Sequence, residues 1–142
     1  MAAAAWKVYN EAKVYMLNGT LDMDTGAWRM ALFKSTSNAS TYTLSTGASV
    51  TNVVNAAGYT GTKTLTVSVR QSTSATTIWD CADVIFTASG ADITSIKFAV
   101  IYVSGGKAVA WSALSTAIFS VTSGNTLTVQ IAAGGIFQLT GG

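Results

Sequence analysis

Histidine and proline are absent from this chain, and one cysteine, Cys81, stands among its 142 residues. Charge is scarce as well: eight Lys/Arg and six Asp/Glu make up 10% of the chain, against the roughly 25% usual for soluble domains. Each shortage excludes something. Without histidine the chain lacks the side chain that titrates unperturbed near neutral pH, so ordinary acid–base catalysis has no carrier. Metal sites draw on His, Cys or clustered carboxylates, so no metal and no cofactor is expected. A single cysteine rules out an internal disulfide. No basic run with interleaved aromatics occurs, which argues against a nucleic-acid surface. The longest apolar stretches, residues 98–103 and 108–111, fall short of the roughly 20 residues of a membrane-spanning helix. Lys7 follows the apolar start Met1-Ala2-Ala3-Ala4-Ala5, whereas a secretory signal carries its charge first. The expectation is a protein made in a cytoplasm, with no cleaved signal and no membrane partner.

In place of charge stand 15 Ser, 21 Thr and 13 Gly, within a chain that is 49% hydrophobic and has a mean hydropathy of +0.41. Its length suits a single domain over residues 1–142, burying about two-thirds of its unfolded surface. With so little charge, part of the surface is expected to be covered by copies of the chain or by a partner. Strand patterns dominate. Lys63-Thr64-Leu65-Thr66-Val67-Ser68-Val69-Arg70 alternates, setting Leu65, Val67 and Val69 on one face. Ile96-Lys97-Phe98-Ala99-Val100-Ile101-Tyr102-Val103 is nearly all apolar, as in a strand covered on both faces. Residues 28–34, 77–79, 84–86, 126–131 and 136–139 read as further strands. Turn chemistry at Asp24-Thr25-Gly26, Ser89-Gly90, Gly105-Gly106 and Gly124-Asn125 separates them, and both positions of Gly105-Gly106 are suited to positive φ. Residues 6–17 are balanced between helix and strand, and residues 49–57 read as a short helical turn. The Ser/Thr-rich residues 35–46 read as a mobile loop and the first five as a flexible arm. The fold class is therefore all-β: an antiparallel β-sandwich of eight to ten strands, jelly-roll-like, with a flexible N-terminal arm.

Several motifs have a functional and a plain reading. Asp24-Thr25-Gly26-Ala27 matches the short aspartic-protease signature, but Asp22 precedes it where an apolar strand belongs, so a polar turn is the reading. Asp22 and Asp24 lack the later carboxylates of a calcium loop. Asp80 and Asp83 flank Cys81, yet the thiol has no base to activate it and reads as a small buried hydrophobe. Asn18-Gly19-Thr20 and Asn38-Ala39-Ser40 fit the glycosylation sequon, which carries no weight without export. Trp6, Trp28, Trp79 and Trp111 are dispersed among apolar runs and read as core; a carbohydrate platform is the alternative. No constellation makes an enzyme.

Taken in order, several segments resemble a family of small virion proteins of tailed bacteriophages. They begin at Trp6-Lys7-Val8-Tyr9-Asn10-Glu11-Ala12-Lys13, Asn18-Gly19-Thr20-Leu21-Asp22-Met23-Asp24-Thr25 and Met30-Ala31-Leu32-Phe33. They continue through Gly58-Tyr59-Thr60, Lys63-Thr64-Leu65 and Asp83-Val84-Ile85-Phe86-Thr87-Ala88-Ser89-Gly90. They close with Ala99-Val100-Ile101-Tyr102, Gly124-Asn125-Thr126-Leu127-Thr128-Val129 and Ala132-Ala133-Gly134-Gly135-Ile136-Phe137. The resemblance implies a virion component. Low charge and terminal segments suited to reaching neighbours favour a capsid decoration (cement) protein on the head surface, its partners the major capsid protein and copies of itself in a homotrimer. A tail-tube subunit should carry a long hairpin and an acid-rich lumen, which six acids supply poorly. A tail or neck component and a carbohydrate-binding host-recognition module are the alternatives. Residues 1–17 are the expected inter-subunit segment, with Trp6, Tyr9 and Tyr15 as its aromatic anchors.

Overall fold

A computed structural model describes residues 3–41 and 50–141, and it is an all-β antiparallel sandwich with one short helix. Its elements are β1 (Lys7–Val8), α1 (Asn10–Leu17), β2 (Trp28–Lys34), β3 (Lys63–Thr64), β4 (Val67–Thr73) and β5 (Thr76–Cys81). They continue with β6 (Val84–Thr87), β7 (Ile93–Val103), β8 (Ala108–Ala113), β9 (Phe119–Val121), β10 (Thr126–Val129) and β11 (Phe137–Thr140). The front sheet runs β1-β8-β7-β2-β3. Ile96 of β7 pairs with Lys34 of β2 on one side and Phe119 on the other, so β9 lies in line with β8. The back layer has two parts, β11-β5-β4 and β10-β6.

The apolar run in β7 explains its central place. Ile96, Ala99, Val100 and Ile101 are at most 1% exposed, and no polar face remains for water. Trp28 of β2 meets Trp79 of β5 edge to face across the sandwich, ring centres 4.9 Å apart. Phe137 of β11 lies 5.5 Å beyond Trp79, carrying the aromatic contact into the neighbouring strand. Each of Met30, Leu32, Ile93 and Val129 is fully buried and contributes about 1.5–3 kcal/mol through apolar burial. The jelly-roll comparison extends only to this layered architecture; the sheets hold six, three and two strands.

Four sequence expectations change. The alternating run 63–70 is not one strand: after Thr64 the chain leaves the front sheet, and β4 joins the back layer. Leu65 is buried at the crossing while Val69 is 47% exposed, because β4 stands clear of the front sheet. Residues 6–17 resolve into both structures, two residues of strand and eight of helix. The described part of 49–57 is not helical. Val53 bridges Phe33, and Val54 N–H donates to Leu32 C=O at 2.8 Å, covering the edge of β2. At the Gly105-Gly106 turn only Gly105 has positive φ, at 73°.

The N-terminal residues are held by the front sheet. Ala4 N–H donates to Ala113 C=O at 3.1 Å, and the buried Ser112 hydroxyl donates to Ala4 C=O at 2.7 Å. Tyr9 N–H reaches Val109 C=O at 2.9 Å, so the outer edge of β8 is paired from residue 4 to residue 9. The described residues of the expected arm, 3–5, thus lie along β8. Of the expected loop, residues 35–41 form turns and residues 42–46 lie outside the described residues.

Candidate functional site

Trp6, Tyr9 and Tyr15 all turn toward their own chain. Tyr9 is 3% exposed and its hydroxyl donates to Ala39 C=O at 2.8 Å, fastening α1 to the segment after β2. Burial pushes its phenol well above the usual range. Tyr15 is half-buried; its hydroxyl donates to Glu11 Oε1 at 2.7 Å, and the Lys107 ammonium sits 4.2 Å from its ring centre. Trp6 is half-buried against the core, with its indole N–H buried and unbonded. Tyr9 is therefore an internal anchor in the monomer, and Trp6 and Tyr15 offer only edges to a neighbour. The outward side of α1 carries Val14, 56% exposed, and Leu17, 90% exposed. Sequence reasoning passed over both. Their i,i+3 spacing is the signal, and it needed residues 10–17 to be read as helix.

Five of the six carboxylates are engaged within the chain. Asp22 Oδ1 accepts the N–H groups of Asp24 and Thr25, both at 3.0 Å, and its Oδ2 accepts the Thr25 hydroxyl. The Thr25 hydroxyl, then the two backbone donors, hold the Asp22 carboxyl below the usual range and keep it ionised. Asp83 Oδ1 accepts Ile131 N–H at 2.8 Å, and Asp92 Oδ1 accepts Ser123 N–H at 2.8 Å. Asp80 accepts Cys81 N–H at 2.9 Å and pairs with Arg70 at 3.3 Å; Glu11 holds Tyr15. Asp24, the aspartate of the protease-like triplet, lies exposed in the turn. Asp22, Asp83 and Asp92 fix loops, the role the plain reading gave to Asp22 and Asp83, while Asp80 lies in β5 and holds Arg70 of β4.

Cys81 is 8% exposed, and burial, then the charges of Asp80 and Asp83, push its thiol up to about 12. At neutral pH it is a protonated, unreactive thiol. Trp28 and Trp79 are 0% and 3% exposed, which removes both from any surface platform; Trp79 also donates its indole N–H to Met23 C=O at 2.8 Å. Trp111 remains half-buried, with Phe98 edge-on at 5.9 Å and the Lys7 ammonium 5.1 Å away. A cleft of about 260 Å³ opens where the chain crosses between sheets, lined by Lys63, Leu65, Asp83 and Ile85 among others. Its carboxylate is already bonded to Ile131. Among the described residues no group of three or more His, Cys, Asp or Glu side chains could hold a metal ion.

What the surface does offer is apolar. Val14, Leu17, Val53, Val69, Ile85, Ile118 and Leu139 are each more than 40% exposed. Among the described residues β4 is exposed over most of its length and has no strand on its outer side. No family model, no curated protein and no solved structure matches this chain.

Proposed function

We propose that this chain is a structural subunit of a bacteriophage virion, a capsid decoration protein that stabilises the head shell through non-covalent contacts with the major capsid protein and with copies of itself. The observation that carries the reading is the division of the side chains. Most carboxylates are spent inside the chain, while seven large apolar side chains stand in water. A surface of that kind gains by being covered, at about 25 cal/mol per Å² of apolar area before ordering costs. The motif resemblance supplies the kind of assembly, and a shell of many copies makes individually weak contacts collectively strong.

The contact residues are Val14 and Leu17 of α1 rather than the aromatic side chains beneath them. A Val14→Ser, Leu17→Ser double variant tests this by co-sedimentation with purified heads. Both side chains are exposed, so the variant is expected to keep the wild-type circular dichroism spectrum and to bind at least tenfold more weakly. Undiminished binding would remove α1 from the interface. A tail-tube subunit is the reading that the exposed β4–β5 hairpin favours. That hairpin's charges are Arg70 and Asp80, paired with each other, which gives no acidic lining to repel DNA.

A further inference from the structure

Two long strand edges of the front sheet are closed by the chain itself. Residues 4–9 pair along β8, and Asn52, Val54 and Leu65 hydrogen-bond along β2. Strand β4 is different. It runs for seven residues against β5, and among the described residues nothing pairs with its other side. Its sequence, Val67-Ser68-Val69-Arg70-Gln71-Ser72-Thr73, has no proline and no lysine to discourage pairing. The one charge, Arg70, is drawn back over its own sheet, donating to Asp80 Oδ2 at 3.3 Å and to Ala133 C=O at 3.0 Å.

We propose that the β4 edge is a self-association site, where two copies pair their β4 strands antiparallel about Val69 and fuse two three-stranded sheets into one of six. A row of free backbone donors and acceptors in strand geometry is satisfied best by another strand. The register follows from the ladder. β4 pairs regularly with β5 from Val67 to Gln71 before the irregularity that precedes Thr73, and the centre of that stretch is Val69. A two-fold axis there sets Val69 against Val69, Ser68 against Arg70 and Val67 against Gln71. Moving the axis one residue, to Arg70, would set two guanidinium groups opposite each other, which is unfavourable. Exposure of β4 on both faces leaves room for a second strand without collision of the two bodies. A two-fold axis uses the same β4 edge of both copies, so this pairing closes at two.

A pair of short strands buries well under the roughly 1,200 Å² of a stable interface, so the dimer is expected to be weak in solution and reinforced on a lattice. Any threefold contact then uses other surfaces. The inference rests on reading the chain as an assembly subunit. A strictly monomeric chain that still bound heads would overturn the edge pairing and leave that reading standing.

Sedimentation equilibrium of the full chain tests the pairing. Wild type is expected to show reversible dimers at high micromolar concentration. Val69→Lys and Val69→Asp, each like-charged across the axis, are each expected to weaken dimerisation at least tenfold, and an equimolar mixture of the two restores it at low salt. Because Val69 is half-exposed, both variants should keep the wild-type melting temperature within a few degrees. Should either fail to fold, Val69→Cys serves instead, with mild oxidation expected to give a covalent dimer that Ser72→Cys does not. Wild type monomeric to about 1 mM, a mixture that stays monomeric, or the absence of a Val69→Cys cross-link would each overturn the proposal.

Discussion

Gly58→Ala is the substitution this fold should tolerate least for its size. A Cβ at Gly58 would lie 1.9 Å from the Ala91 carbonyl oxygen, 2.5 Å from its carbon and 2.8 Å from the Asp92 carbonyl carbon. All three are backbone atoms, so no rotamer change relieves the clash. Two hydrogen bonds fasten the same contact: Gly58 N–H to Asp92 C=O at 3.3 Å, and Ser89 N–H to Gly58 C=O at 3.2 Å. Parting the segments costs about 1–3 kcal/mol in overpacking and about 1 kcal/mol for each bond lost, roughly 3–5 kcal/mol together. For a domain of this length that lowers Tm by roughly 10–20 °C. Gly134→Ala is the matched control, since its Cβ would meet only the end of the Gln138 side chain, at 2.8 Å from Nε2. That amide can swing away, and the expected change is within about 1 kcal/mol. Calorimetry and urea unfolding of both variants measure the difference. A Gly58→Ala loss below about 1 kcal/mol would refute the close approach of residues 58 and 91.

Alkaline pH should unfold the protein cooperatively. Burial raises Tyr9, Tyr59 and Cys81 above their ordinary values of 10.0, 10.0 and 9.0, Tyr59 and Cys81 to about 12. Their stabilisation is therefore whole below pH 9 and is lost as pH climbs toward 12, at about 1.4 kcal/mol per pH unit for each group. The share of the 295 nm tyrosinate absorbance that belongs to Tyr9 and Tyr59, two of five tyrosines, should appear only with the loss of circular dichroism. A smooth rise near pH 10 in folded protein that accounts for all five would contradict the burial of Tyr9 and Tyr59. Cys81 should react with a thiol reagent at least a hundredfold faster in denaturant than in native buffer; equal rates would place it on the surface. Ser112→Ala removes the bond to Ala4 C=O and should cost about 1 kcal/mol. Hydrogen exchange at Ala4 should quicken in that variant, and an unchanged rate would detach residues 3–5 from β8.

Strand content was legible because it rests on period and propensity. The unbroken apolar run of β7 and the alternation in β10 need no tertiary information to be recognised. Where one chain serves two layers, periodicity fails. From Lys63 to Val69 the alternation in sequence continues through the crossing at Leu65 and Thr66 although the chain changes sheets there, leaving Leu65 buried and Val69 exposed. α1 was ambiguous for a related reason: Val8, Tyr9, Val14 and Tyr15 satisfy either period, and Ala12, the helix's fully buried residue, has no bulk to tip the balance. The expected anchors were chosen by residue type. Aromatic residues suit interfaces and cores equally, and the hydroxyl bond from Tyr9 to Ala39, 30 residues away, is invisible in sequence. The open edge of β4 was equally hidden, since only the full strand order shows which edge is left unpaired.

The central claim is that this chain is built to be covered by other subunits of a phage head. Cryo-electron microscopy of tailed-phage particles assembled in the presence of this chain, with the chain traced into the density, tests that claim most directly. The account predicts density for it on the head lattice, with Val14 and Leu17 buried against neighbouring subunits. Density confined to the tail, or none in the particle, would contradict it.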